Sequence, residues 1–269
     1  YTYLKYLQIY IELKSNQIYV ITATIKNLKM INFTKRKFER LLVSKNMMKI
    51  FYFYHYVTGG MHSGELELDF KNKKSRIEIV QKIIDLKGFK KYLEIGTFKD
   101  ELFSQINCEK KIGVDPVSGG NVRKTSNEFF MQNKEKFDLI FIDGLHKYNQ
   151  AKQDIYNSIN SLDNNGIILV HDCFPRNYYY QAVPRCQINW NGDTWKALVE
   201  ARTDENLDTY CIYADEGIGL IFKRKNKNLL NLKIDNFSNL KYKDFFKNYK
   251  NFLNLIEYDE LLNIINNNE

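Results

Sequence analysis

The sequence predicts an α/β fold built on a largely parallel sheet, and three observations lead there. Two short apolar runs, Phe137–Ile142 and Gly166–Val170, are rich in Ile, Leu, Phe and Val and do not alternate with polar residues. Between them lies a segment with helical spacing: Ala151, Ile155, Ile159 and Leu162. Each run ends in ionisable side chains, Asp143 after the first and His171-Asp172 after the second. Strand, helix, strand with continuous apolar strands is the βαβ unit of a parallel sheet covered on both faces. In open α/β sheets ligands sit outside the carboxyl ends of the strands. The crevice beyond Asp143 and Asp172 is therefore the candidate site.

The elements follow in order. Residues 1–56 read as an N-terminal extension that caps the core or mediates self-association, with strand character over Gln17–Ile25 and a helix over Lys35–Ile50. Residues 57–64 hold three glycines in eight positions and read as a connector, or as a lid in which His62 would matter. Ser75–Leu86 is an amphipathic helix ending near Gly88. Tyr92–Ile95 is a short strand that turns at Gly96, where a tight turn and close ligand approach favour glycine. Ile112–Val114 is the next strand, ending in Asp115 about twenty residues after Gly96, the distance at which an acid reaches a ribose hydroxyl in nucleotide-type sites. Thr125-Ser-Asn-Glu128 has capping-box spacing and opens a short helix. The organising βαβ unit comes next.

Beyond Pro175, residues 176–193 are too irregular for a helix, whereas Trp195–Ala201 reads as one. Asp208–Ala214 and Gly217–Lys223 form a hairpin around Asp215-Glu216. Residues 226–269 read as a C-terminal helical appendage, which leaves 57–225 as the central domain.

Composition narrows the function classes. At 269 residues, the chain can bury a sizeable core. A formal net charge of +8 comes from Lys scattered along the chain, so the basicity suits an anionic small substrate, such as a sugar nucleotide, rather than a nucleic acid. Cys108, Cys173, Cys186 and Cys211 are far apart, with no CxxC pair, so zinc knuckles and a disulfide framework are not expected and the compartment reads as reducing and cytoplasmic. No run approaches the roughly 18 apolar residues of a membrane span. The first residues, interrupted by Lys5, Glu12 and Lys14, do not read as a signal peptide.

Leu93-Glu-Ile-Gly-Thr-Phe98, Gly113-Val-Asp115, Phe137–Asp143 and Gly166–Asp172, followed by the hairpin, resemble class I S-adenosylmethionine-dependent methyltransferases over roughly residues 75–225. The likeness is to the branch of catechol O-methyltransferase and the metal-dependent sugar O-methyltransferases. It implies a Rossmann-like seven-stranded sheet, mostly parallel with an antiparallel last strand and helices on both faces. It implies that Glu94, Gly96, Thr97 and Phe98 line the methionine end of the donor, that Asp115 holds its ribose and that Ser126 sits near its adenine. Asp143 would bind donor and metal, Asp172 would be a second ligand for Mg²⁺, and His146 would take the acceptor's proton. Two features depart from the pattern: Asp100 stands where the family often has glycine, so that a second glycine of the donor loop is missing, and Cys173 stands where the catechol motif has Asn, with His171 as its replacement ligand.

The chemistry agrees. Methyl transfer to an alcohol is an in-line displacement, so the protein must position two reactants and weaken a hydroxyl proton. A hard divalent ion on carboxylates lowers a hydroxyl pKa, and a His near neutral pKa accepts the proton. Each residue also has a structural reading: Asp143 as a helix cap, Asp172 as a turn residue, His146 on a helix surface, His171 packed under the loop. Two other functions compete with O-methyl transfer. A nicotinamide-dependent oxidoreductase would use the same kind of sheet, but G-x-G-x-x-G is absent. A non-catalytic donor-binding module would not need Asp143, His146 and Asp172 together. The expected partner is a small acceptor, and homo-oligomerisation is compatible with the extensions.

Overall fold

The computed structural model describes residues 44–266, the side chain of His62 excepted. The expected strand at 17–25 and most of the expected helix at 35–50 lie outside those residues. Helix α1 spans Lys45–Thr58 and runs into the segment expected to be loop; a single 3₁₀ turn, Gly60–His62, follows. Helix α2 (Arg76–Lys87) is fixed at both ends by its own sequence. Ser75 and Glu78 form a reciprocal capping box, and Gly88 closes the helix at φ 62°. Such a cap contributes about 1 kcal/mol.

Among the described residues the sheet has seven strands: β1 (Lys91–Ile95), β2 (Lys110–Val114), β3 (Phe137–Ile142), β4 (Leu162–Val170), β5 (Leu207–Ile212), β6 (Ile218–Lys223) and β7 (Leu255–Ile256). Their order is β2-β1-β3-β4-β6-β5-β7. Only β6 runs against the others, antiparallel to both β4 and β5. The connecting helices are α3 (Ser126–Gln132), α4 (Tyr148–Ser161), α5 (Tyr178–Gln181) and α6 (Trp195–Ala201), and α7 (Tyr242–Leu253) and α8 (Tyr258–Asn266) follow the hairpin.

Alternation along the strands makes two cores. Leu93, Ile95, Ile140, Ile142, Ile168 and Val170 face one side and pack with Ile155 of α4, Trp195 of α6 and Phe245 of α7. Tyr92, Leu139, Phe141, Ile167 and Leu169 face the other and pack with Ile79 and Ile83 of α2 and Leu261 of α8. Buried on both faces, the central strands show no polar alternation, which is why they read as apolar runs.

Two stretches differ from expectation. Residues 176–193 contain the one-turn helix α5, started by the Asn177 side chain, which accepts from the Tyr179 and Tyr180 amides. A cap on a four-residue helix leaves no periodicity to read. The C-terminal segment is not wholly helical, because Leu255 and Ile256 pair with Cys211 and Ile212 and add β7 to the sheet. It is anchored by the fully buried Arg202, whose guanidinium donates to the Asn228 and Asn251 carbonyls. Among the described residues no helix is long and apolar enough to cross a membrane, and all four cysteines are free.

Candidate active site

The parallel register brings the ionisable strand ends together. Ile95 pairs with Ile142, and Ile142 with Val170, so Gly96, Asp143 and His171 emerge side by side. The ladder continues one step beyond the strands: the Asp143 amide donates to Ile95 O at 2.8 Å and the His171 amide to Ile142 O at 2.9 Å. Asp143 and Asp172 converge with His146 so that one ligand atom from each lies within 4.8 Å of the others. His146 Nε2 is 3.1 Å from Asp143 Oδ1, and its Nδ1 is 3.0 Å from Asp172 Oδ2 and 3.0 Å from Trp190 O. His171 Nδ1 lies 3.4 Å from Asp143 Oδ1 and 3.6 Å from Asp172 Oδ2. Asp172 sits at φ 59°, a left-handed conformation that turns its side chain out of strand register.

The donor loop follows β1. Gly96 has φ 91°, and a Cβ there would lie 2.1 Å from Asp143 O, so glycine is required for the two strand ends to touch. Phe98 (φ 46°) and Asp100 (φ 62°) keep left-handed backbone although neither is glycine. Asp100 Oδ1 accepts from the Gly120 amide at 2.6 Å, which ties this loop to the one after β2. Asp115 Oδ1 accepts from the Val117 and Ser118 amides at 2.7 and 2.9 Å, and Oδ2 from the Phe98 amide at 3.1 Å. Of the roughly four acceptor directions of a carboxylate, one on Oδ2 is left for a ligand. Thr97 is buried with its hydroxyl unpartnered. Ser126 makes its contacts on α4, with Gln150 at 3.1 Å and the buried Asp154.

Residues 111–173 match the family model described as a methyltransferase domain, a span that runs from β2 to the end of β4 and contains Asp115, Ser126, Asp143, His146, His171 and Asp172. The matched segment is similar to a methyltransferase domain. Solved structures similar to the chain include the S-adenosylhomocysteine-bound methyltransferase PaMTH1 of Podospora anserina, 14% identical, covering 76% of this chain and 99% of that one with a TM-score of 0.44. The O-methyltransferase of Bacillus cereus in complex with S-adenosylhomocysteine is 11% identical, with coverages of 70% and 96% and a TM-score of 0.43. The O-methyltransferase TomG of Streptomyces achromogenes, involved in tomaymycin synthesis, is 10% identical, with coverages of 55% and 79% and a TM-score of 0.42. No curated protein matches the sequence.

The site is strongly polarised. Burial opposes charge on His146, but the Asp172 and Asp143 carboxylates outweigh it and lift the imidazole to about 10. His171 is raised in the same way, against burial, by the same two carboxylates. In return the histidines hold Asp143 and Asp172 well below the usual carboxylate range despite their burial. Burial raises Glu94 to about 8, against the hydrogen bond its carboxylate accepts from the Tyr92 hydroxyl at 2.6 Å, and the charge of Asp143 adds to the rise.

Several polar residues at the site carry no sequence signal of their own. Asn191, 2% exposed, donates from Nδ2 to Asp172 Oδ1 at 2.7 Å, while its Oδ1 is buried without a partner. Asp193 caps α4 by accepting from the Tyr148 amide at 2.7 Å, so Asp143 is not the cap of that helix. His146 itself precedes the helix, two residues before Tyr148, instead of lying in its first turn. Trp190 stacks on His146 with ring centroids 5.6 Å apart, and Arg185 lies 5.7 Å from the Trp190 ring. Asp215, read as a turn residue, accepts from His171 Nε2 at 3.0 Å.

Proposed function

We propose that this protein is a methyltransferase that transfers the methyl group of S-adenosylmethionine to a hydroxyl of a sugar, glycan precursor or similar small metabolite, assisted by one divalent cation and by His146 as general base. The observation that carries the reading is the convergence of Asp143, His146 and Asp172 beside the donor loop. The donor set fits a divalent ion: two carboxylates of low pKa meet there, and the buried His171 Nδ1 between them has no hydrogen-bond partner.

A bound divalent cation supplies Lewis acidity that lowers the acceptor hydroxyl's pKa. Asp143 and Asp172 would hold the ion, Mg²⁺ on the sequence expectation, with His171 as a further ligand. Glu94, Gly96, Thr97 and Phe98 would line the donor, with Asp115 on its ribose and Ser126 toward its adenine. His146, at about 10 beside two bare carboxylates, is already protonated at neutral pH. Its role as base therefore requires that carboxylate charge to be offset, which links the base to the ion. Trp190, stacked on His146, offers an aromatic face suited to a sugar ring. The scattered positive charge suits an anionic acceptor such as a nucleotide sugar. Residues 1–56 and 226–269 are proposed to be structural, acceptor-selecting or self-associating, around a domain at 57–225, and the protein to act in the cytoplasm.

The test is transfer of tritium from methyl-labelled S-adenosylmethionine to a panel of nucleotide sugars, free sugars and simple phenols. Label in a sugar hydroxyl, lost on chelation, is expected. Label confined to lipid or protein acceptors would overturn the substrate class, and full transfer in chelator would overturn the metal.

A further inference from the structure

His171 differs from His146 in one respect. Both nitrogens of His146 face hydrogen-bond acceptors, Asp143 Oδ1 on one side and Trp190 O with Asp172 Oδ2 on the other. His171 Nε2 faces Asp215 Oδ1 at 3.0 Å, but its buried Nδ1 makes no hydrogen bond. A carboxylate only accepts, so Asp215 fixes a proton on Nε2. The Asp143 and Asp172 carboxylates favour a proton on Nδ1 as well; with their charge offset the ring would be neutral, and its Nδ1 lone pair would face Asp143 Oδ1 at 3.4 Å and Asp172 Oδ2 at 3.6 Å. The residue is 5% exposed, so water does not account for the free nitrogen.

Asp215 is itself held in place. Its Oδ2 accepts from the Arg76 amide at 2.6 Å, and its Oδ1 lies 3.5 Å from Arg76 Nη1. It adopts φ 42° in the β5–β6 turn, followed by Glu216 at φ 61° and Gly217 at φ 85°. Two consecutive non-glycine residues in left-handed backbone are strained, and such strain persists only where the surroundings over-determine it. The turn directs a carboxylate at the far nitrogen of a histidine whose near nitrogen faces two more carboxylates. A carboxylate behind a histidine that faces an ion is the arrangement that orients metal-ligating imidazoles.

Resting on the metal reading above, we propose that Asp215 is a positioning residue that presents His171 Nδ1 as a nitrogen ligand to the ion held by Asp143 and Asp172, and that the site therefore selects a first-row transition ion of the Mn²⁺ class over Mg²⁺. Mg²⁺ prefers an all-oxygen octahedron and dehydrates reluctantly, whereas imidazole suits the transition ions. Replacement of the motif Asn by Cys173 fits this choice, since Cys173 is fully buried and its thiol donates to the Val170 carbonyl at 3.3 Å, leaving His171 as the third donor.

The test uses the intact protein with Mn²⁺ and Mg²⁺ as probes. Calorimetry should give an affinity for Mn²⁺ about tenfold or more above that for Mg²⁺. Electron spin echo modulation of bound Mn²⁺ should show a coupled imidazole nitrogen that disappears in His171→Gln. Asp215→Asn should weaken Mn²⁺ by about 10–100-fold and Mg²⁺ much less, with affinity for S-adenosylhomocysteine unchanged. Equal Mn²⁺ and Mg²⁺ affinity with no nitrogen modulation would overturn the His171 ligand while sparing the metal site. Modulation that survives His171→Gln and vanishes in His146→Gln would assign the nitrogen to the other histidine and overturn the proposal. No binding of either ion, with S-adenosylhomocysteine still bound, would overturn the metal reading as well.

Discussion

Asp143 Oδ1 lies 3.1 Å from His146 Nε2, which places a base and a carboxylate from one strand-to-helix turn on the same crevice. In the proposed mechanism proton removal depends on His146. His146→Ala is expected to lower kcat by about 10²–10⁴, the range of a general base, with little change in affinity for S-adenosylhomocysteine. Stopped assays of labelled methyl transfer together with calorimetry give both quantities. A variant with full kcat would remove His146 from the chemistry.

Asp115 is predicted to serve loop and donor at once. Its carboxylate accepts three backbone amides and keeps one direction on Oδ2. Asp115→Ala should weaken S-adenosylhomocysteine binding by about 1–3 kcal/mol, the scale of a lost charge-assisted hydrogen bond. Unchanged affinity by calorimetry would take the ribose away from this residue.

Gly96 is predicted to be irreplaceable for geometric reasons. At φ 91° and with a Cβ position 2.1 Å from Asp143 O, Gly96→Ala forces apart the two strand ends that build the site. Destabilisation above about 1 kcal/mol in urea unfolding is expected, with loss of donor binding. Wild-type stability in that variant would mean the turn relaxes freely.

Asp154 gives a pH signature of its own. Burial raises its carboxyl from the ordinary 3.8 to about 6, against hydrogen bonds from Ser126 and Gln150. The folded protein therefore holds this proton more tightly than the unfolded chain. The group costs no stability below about pH 4, costs increasingly more as pH rises to about 6, and costs a constant amount above. At about 1.4 kcal/mol per pH unit, the full effect is on the order of 3 kcal/mol. Asp154→Asn should flatten this part of the profile and raise the melting temperature at pH 8 relative to wild type. Parallel melting profiles of the two proteins between pH 4 and 8 would contradict the buried-acid account.

The parts of this protein that were legible in the sequence are those where one physical demand acts alone. Strands β3 and β4 are buried on both faces, so Ile140 and Ile168 sit in apolar runs and announce the parallel sheet. Ser75 and Thr125 announce their helices through reciprocal caps. Asp143, His171 and Asp172 could be found because parallel strands deliver their ends to one edge. Asn191, Asp193 and Asp215 could not, because they reach that edge from a loop and a turn whose paths depend on tertiary contacts. The Asn191 and Gly192 amides donate to Tyr180 O at 3.0 and 3.1 Å, and that fold of the loop leaves no periodic trace. Strand β7 was hidden for a similar reason, since two residues between helices pair only because β5 offers an edge. Asp100 shows the converse: the glycine expected there from the resemblance is absent while the left-handed backbone remains.

The most direct test of metal-assisted methyl transfer at Asp143 and Asp172 is turnover of methyl-labelled S-adenosylmethionine before and after chelation, with S-adenosylhomocysteine affinity measured on the same samples. The predicted result is loss of turnover with donor affinity intact, and recovery of turnover when Mn²⁺ is added back. Full turnover in the chelated protein would contradict it.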